Sequence, residues 1–262
     1  MALHKKSNGT IDTIIFAGLR VGKLYLELIR NYYEFNIRGV IVIDKKHSEK
    51  IYGFYDFTEY EEILPIKKIK KTTEIIDYVR KINPDIIFSV GWSKIIPSEI
   101  LEIPSKGVIG FHYAKLPERR GGSPITWTLI HGLNETFVTM IYYSEKVDAG
   151  DIIGESKIKI DKNDTSKILL AKCEKAVIEL SKEFLKKLVK GTAPRIPQDD
   201  TKAFFTKRRN DNDDEIHIEK LNPIEIHNFI RALSEPYPGA FIKYKNYKIY
   251  LKSSRIIEQK KD

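Results

Sequence analysis

Apolar residues in the first half of the chain fall into short continuous runs separated by amphipathic stretches. Thr13-Ile-Ile-Phe-Ala17, Arg38-Gly-Val-Ile-Val-Ile-Asp44, Pro84-Asp-Ile-Ile-Phe-Ser89 and Gly107-Val-Ile-Gly-Phe111 are too short for helices, rich in β-branched residues and bounded by Gly, Pro or charge. That pattern predicts strands buried on both faces, with Leu64-Pro-Ile66 as a shorter one. Leu24 to Tyr33, Thr73 to Ile82 and the turn Pro97 to Leu101 read as the helices between them. Strands alternating with helices imply right-handed βαβ units, hence an α/β, Rossmann-like, mostly parallel sheet with helices on both faces.

Further on, Phe137 to Tyr143 and Ile152 to Ile160 predict two more strands flanking a loop that holds Asp148. Leu169, Cys173, Val177, Leu180, Phe184 and Leu188 then recur every three or four residues, which predicts a long helix capped by Asp164 and ended by Gly191. The Pro-containing link Thr192 to Pro197 suggests a catalytic domain over 1–192 and a small C-terminal α+β appendage over 193–262. The appendage would hold Ala203-Phe-Phe-Thr206, a charged turn from Lys207 to Asp214, a helix from Pro223 to Leu233, and strands at Phe241–Tyr244 and Lys248–Leu251. The last residues, Glu258 to Asp262, are expected to fray.

Composition narrows the class. A single cysteine among 262 residues excludes an intrachain disulfide framework and a cysteine-based zinc site, and its place in the helical repeat suggests a packed thiol. The net charge of +9 is spread over nearly every expected surface and interleaved with 36 acidic residues. Solvated surface is the first reading of that charge, and attraction to a phosphorylated small substrate the second; no nucleic-acid partner is expected. No apolar run reaches the roughly 20 residues of a membrane helix, and Met1 to Gly9 lacks a signal-peptide core, so the expectation is a cytoplasmic protein without a membrane partner.

In sheets of this kind ligands bind beyond the carboxyl ends of strands, here Ser89 to Trp92 and Phe111 to Leu116. Gly18-Leu-Arg-Val-Gly22 lacks the G-x-G-x-x-G spacing and reads as a tight turn. His112 would stand just beyond a strand, and Asp148, on a loop with Gly150, could orient its ring for general acid/base work. Each has a plainer reading, a histidine bonded into the wall of the sheet and an aspartate stabilising a turn. No G-x-S-x-G elbow is present, so direct attack by a substrate amine is simpler than an acyl-enzyme, and no metal is called for.

His112-Tyr-Ala-Lys-Leu-Pro117, Arg120-Gly121, Pro124 and Asp148-Ala-Gly-Asp151 together resemble the signature of the 10-formyltetrahydrofolate-dependent formyltransferases. Phe205-Thr-Lys-Arg-Arg209 and Ile230-Arg-Ala-Leu-Ser-Glu-Pro236-Tyr-Pro-Gly-Ala-Phe241 look like the tail of the sugar N-formyltransferase branch, which is typified by the domain that formylates 4-amino-4-deoxyarabinose on a UDP carrier. The resemblance implies an Asn-His-Asp trio, with His112 and Asp148 in the last two places and Gly110 where the family has asparagine. A backbone N–H, a water, Ser89, Ser93 or Tyr113 would then replace the asparagine amide, or the centre has decayed.

The same resemblance implies a sugar amine attacking the formyl carbon, His112 relaying the proton to the folate nitrogen, and Asp148 steadying the imidazolium. It places the pterin between Phe88, Ser89, Val90, Gly91 and Trp92 on one side and Val147, Asp148, Gly150 and Asp151 on the other. Trp92 has a second reading, as a lid on the core. A nucleotide-linked amino sugar, as used in O-antigen or lipopolysaccharide biosynthesis, would meet Tyr113, Lys115, Arg119, Arg120, Lys207, Arg208 and Arg209. Family analogy adds a homodimer formed through the tail. The rivals are a methionyl-tRNA formyltransferase, expected to carry a full C-terminal β-barrel for which too little chain remains, and a decayed folate or sugar-nucleotide binding protein.

Overall fold

A computed structural model of the chain describes residues 9–49 and 51–259. Residues 1–8 and 260–262, on which the leader and fraying expectations mostly rest, lie outside the described residues. The strands are β1 (Ile11–Ala17), β2 (Phe35–Ile43), β3 (Ile66–Ile69), β4 (Ile86–Val90), β5 (Val108–His112), β6 (Arg120–Gly121), β7 (Glu135–Tyr142), β8 (Ile152–Lys159), β9 (Phe205–Thr206), β10 (Ala240–Tyr244) and β11 (Tyr247–Leu251). The helices are α1 (Arg20–Ile29), α2 (Ile76–Ile82), α3 (Ser98–Leu101), α4 (Pro124–Ile130), α5 (Ser166–Lys190) and α6 (Pro223–Ala232).

Seven strands form one sheet in the order β3-β2-β1-β4-β5-β7-β8, parallel from β3 to β5 and antiparallel where β7 meets β5. Strand residues alternate between faces, so the apolar runs clothe both. On one face the Tyr25 ring of α1 lies 5.3 Å from Phe88 and 6.2 Å from Phe111. On the other, Ile87 and Val108 pack in one cluster with Val79 of α2 and Ile100 of α3. The expected mostly parallel sheet with helices on both faces is therefore what the chain forms.

Three local expectations change. Helix α1 begins at Arg20, so Gly22 lies inside it and not in a tight turn; a Cβ there would come within 2.8 Å of Ala17 Cβ and of the Val90 carbonyl oxygen. His112 is the last residue of β5, paired with Thr139, and does not stand beyond the strand. Thr165 rather than Asp164 caps α5: its carbonyl accepts from Leu169 N at 2.9 Å and its hydroxyl from Ile168 N at 3.4 Å. The Asp164 carboxylate instead accepts from Asp161 N at 2.9 Å and Lys172 Nζ at 2.5 Å.

The chain divides into two compact units, and neither is a single stretch of sequence. The first comprises the described part of Met1–His112 with Thr139–Glu155 and Val177–Gln198; the second comprises Tyr113–Val138, Ser156–Ala176 and the described part of Asp199–Asp262. In the second, Ile216, Ile230, Leu233 and Ala240 form a small core. Helix α6 starts with Pro223 behind a reciprocal cap, Asn222 accepting from Ile224 N and Glu225 N while Glu225 accepts from Asn222 N. Strands β10 and β11 form a hairpin across Lys245, whose φ is 51°.

Cys173 is fully buried on α5, and burial pushes its thiol up to about 12. The native protein should therefore leave this thiol unmodified by a thiol-specific chromogen at pH 8, with one equivalent reacting once denaturant is added. Stoichiometric labelling without denaturant would show that this part of α5 opens readily.

Candidate active site

In the parallel β4–β5 register Ser89 opposes Gly110, and in the antiparallel β5–β7 register Gly110 opposes Ile141 and His112 opposes Thr139. Ser89, Gly110 and His112 consequently share one face of the sheet. The His112 ring is buried there, with Nδ1 3.4 Å from Asp148 Oδ2. That exceeds the roughly 3.2 Å limit of a well-formed hydrogen bond, yet it aims the carboxylate at one ring nitrogen.

Asp148 is held in an unusual conformation, with φ 54°. Two constraints set the loop around it. Gln198 Nε2 donates to the Asp148 carbonyl at 2.9 Å and to the Gly150 carbonyl at 2.7 Å. At position 150 only glycine fits, because a Cβ would press into the Tyr142 carbonyl, 2.8 Å from its carbon. Beside it, Arg195 lies 3.6 Å over the Tyr142 ring and 3.6 Å from the Asp151 carboxylate. Gln198 escapes sequence reading because a glutamine at the end of a Pro-containing link carries no chemical signature of its own.

Gly110 is also a packing requirement. A Cβ built on it would lie 2.5 Å from Cζ of Tyr143 and inside contact distance of the phenol oxygen, so the tyrosine ring occupies the space over this residue. The Tyr143 hydroxyl donates to Ser89 Oγ at 3.3 Å. Burial pushes its pKa up to about 12, with the Ser89 contact opposing and the Asp148 charge reinforcing the rise. Sequence reading offers Ser89, Ser93 and Tyr113 as stand-ins for the asparagine and passes over Tyr143, which is 33 positions away.

Of the expected pterin residues, Phe88 and Val90 have buried side chains, and the Phe88 ring packs 5.7 Å from Phe35 within the core. Trp92 stands edge-on to Phe16 at 5.2 Å, with its indole N–H buried and without a hydrogen-bond partner in the protein. Gly91 adopts φ 64°, and Val147 is exposed.

The basic residues expected at the substrate lie in the second unit. Parallel pairing of β6 with β9 brings Arg120 alongside Phe205. Arg120 is buried and donates to Asp200 Oδ1 at 2.7 Å. Arg209 lies 4.9 Å over Trp127 and 5.2 Å over Phe229, 3.1 Å from Asp214 Oδ1, and its backbone N–H donates to Ser123 Oγ at 3.0 Å. Lys207 meets Asp213 at 2.5 Å, Lys115 meets Glu118 at 3.0 Å, and the Arg119 guanidinium lies 5.8 Å from the Phe204 ring. The Tyr113 carbonyl accepts from Thr136 Oγ1 at 3.4 Å, and Arg208 is exposed. Among the described residues, no three or more His, Cys, Asp or Glu side chains gather as a metal ion would need, and no helix is long and apolar enough to cross a membrane.

Residues 39–184, more than half of the chain, match the family model for formyl transferase, and residues 210–262 match the model for the formyl transferase C-terminal domain. The chain belongs to the formyl transferase family. Among solved structures, this formyltransferase is similar to a 4-N formyltransferase from Francisella tularensis at 18% identity and TM-score 0.76, covering 95% of this chain and 100% of that one. It is similar to methionyl-tRNA formyltransferase from Clostridium thermocellum at 24% identity and TM-score 0.66, covering 91% and 90%. A third is WlaRD, a sugar 3N-formyltransferase solved in the presence of dTDP and 5-N-formyl-THF, at 19% identity and TM-score 0.66, covering 93% and 94%. At these identities the likenesses establish the fold. Coverage of 90% of the methionyl-tRNA enzyme also removes chain length as a way of separating the two acceptor classes.

The Gln198 amide is the checkable part of the loop geometry. Gln198→Ala leaves two loop carbonyls without their donor and should lower stability by about 1 kcal/mol. Hydrogen exchange at Ala149 to Asp151 should rise as well. Unchanged exchange there would show that the loop holds its shape without this side chain.

Proposed function

We propose that this formyltransferase moves the formyl group of 10-formyltetrahydrofolate to the amine of a nucleotide-linked amino-deoxy sugar. The folate supplies a carbonyl carbon that exchanges its bond to N10 for a bond to the amine, while one proton crosses from the amine to N10. His112 is the group assigned to carry that proton. Asp148, 3.4 Å from Nδ1, fixes the tautomer that leaves Nε2 ready to accept it, and stabilises the ring while it is charged.

The first unit offers features suited to a hydrogen-bonding aromatic ring. Trp92 buries an indole N–H that has no partner in the protein, and native proteins rarely leave such a donor without a ligand or water. The segment 147–151, which carries Asp148, is assigned to the other side of that ring. In the second unit, Tyr113, Lys115, Arg119, Arg120, Lys207, Arg208 and Arg209 are assigned to the nucleotide, Lys115, Arg120, Lys207 and Arg209 being set also against neighbouring carboxylates.

The acceptor class rests on the tail. Its segments Phe205–Arg209 and Ile230–Phe241 resemble the tail of the sugar N-formyltransferase branch. A nucleotide sugar therefore takes precedence over a tRNA. The relative solved with dTDP and a formylated folate agrees with this choice.

Purified protein with 10-formyltetrahydrofolate should release tetrahydrofolate when given one of a panel of dTDP-, UDP- or GDP-linked 3-amino or 4-amino sugars. Turnover with methionyl-tRNA alone would transfer the assignment to that class, and no turnover with any acceptor would mark a decayed binding protein. His112→Ala should reduce turnover by about 10²–10⁴-fold with little change in Tm. Near-normal activity in that variant would remove His112 from the reaction.

A further inference from the structure

The volume over Gly110 is filled by Tyr143. On a strand, residues two apart point to the same side, so a side chain at 110 would stand beside the His112 ring on the face that also carries Ser89. Tyr143 delivers a hydroxyl into that volume from the loop that carries Asp148. Simple space-filling would need only a phenylalanine or leucine. Here the ring ends in an O–H within reach of Ser89 Oγ.

We propose that Tyr143 is a catalytic residue that donates, in place of a side chain at 110, the hydrogen bond to the oxygen of the formyl group; this rests on the formyl-transfer reading above. Two further observations favour it. The phenol is kept protonated throughout the working pH range, so it remains a donor. In the structure the phenol O–H donates to Ser89 Oγ at 3.3 Å; because Ser89 carries both a donor and two acceptor sites, the two hydroxyls exchange roles when a ligand binds, Ser89 donating to the phenol oxygen and the phenol O–H to the ligand. A preorganised donor aimed where charge develops is the kind of group whose loss costs about 10²–10³-fold in kcat.

The test is Tyr143→Phe, with the paired exchange Gly110→Asn plus Tyr143→Ala. Tyr143→Phe should lower kcat by about 10²–10³-fold, with KM for both substrates little changed and Tm nearly unaltered. The paired exchange should recover part of that loss, whereas Gly110→Asn alone should be destabilised because the ring already occupies the site. A second readout needs no turnover. With carbon-13 formyl folate bound and no acceptor present, the formyl C=O stretch should lie lower in the wild type than in Tyr143→Phe, and His112→Ala should retain the low frequency.

A Tyr143→Phe variant with normal kcat and an unmoved carbonyl band would overturn this assignment while leaving the formyl-transfer reading intact. A wild type that binds no formyl folate would overturn both. Should Tyr143→Phe fail to fold, the wild-type band compared with folate in water decides: a downshift supports the hydrogen bond, and an upshift excludes it.

Discussion

Because β7 runs antiparallel to β5, the chain leaves the sheet beside Val108, where Tyr143 N donates to the Val108 carbonyl at 2.7 Å, and not beside His112. The loop must then return along the face of the sheet to bring Asp148 to the imidazole. Such a returning loop has few regular backbone partners of its own, so side chains shape it: the Gln198 amide, the missing side chain of Gly150 and the Arg195 guanidinium. An all-parallel sheet would have sent the next strand away through a crossover. The geometry of the His112–Asp148 pair therefore depends on one reversal of strand direction.

Most of the first unit was legible as pattern. β-branched runs such as Ile86-Ile87 and Ile41-Val42-Ile43 can be satisfied only in strands covered on both sides, and the observed core uses them that way. Helix ends were less legible. Asp164 and Thr165 are both plausible caps in a one-dimensional reading, and the choice falls to Thr165 because Lys172 and the Asp161 amide claim the Asp164 carboxylate. The start of α1 was hidden for a related reason: glycine weakens a helix in isolation, but Gly22 is needed where the helix meets Ala17 and Val90.

The candidate site divides along the same line. His112 and Asp148 could be paired from sequence because their chemistry is self-declaring. Tyr143 and Gln198 could not, since each acts only through its position against residues dozens of places away. The basic residues show the converse. Arg120 and Arg209 look like anion ligands in a string of letters, and the fold also sets them 2.7 and 3.1 Å from the Asp200 and Asp214 carboxylates, partners that the letters do not reveal. A net charge of +9 says little about which guanidiniums face a ligand.

Positions 110 and 143 occupy one shared volume, and that couples their histories. A chain that gains a side chain at 110 while keeping the tyrosine is overpacked, and one that loses the ring while keeping glycine carries a cavity of the kind that costs about 3–5 kcal/mol. Neither single step is neutral, so the two residues are expected to change as a unit or through an intermediate ring size. A motif scored one column at a time records the glycine as a mismatch. In the folded chain the glycine and the tyrosine ring share that volume, so the pair, not either position alone, sets the packing there.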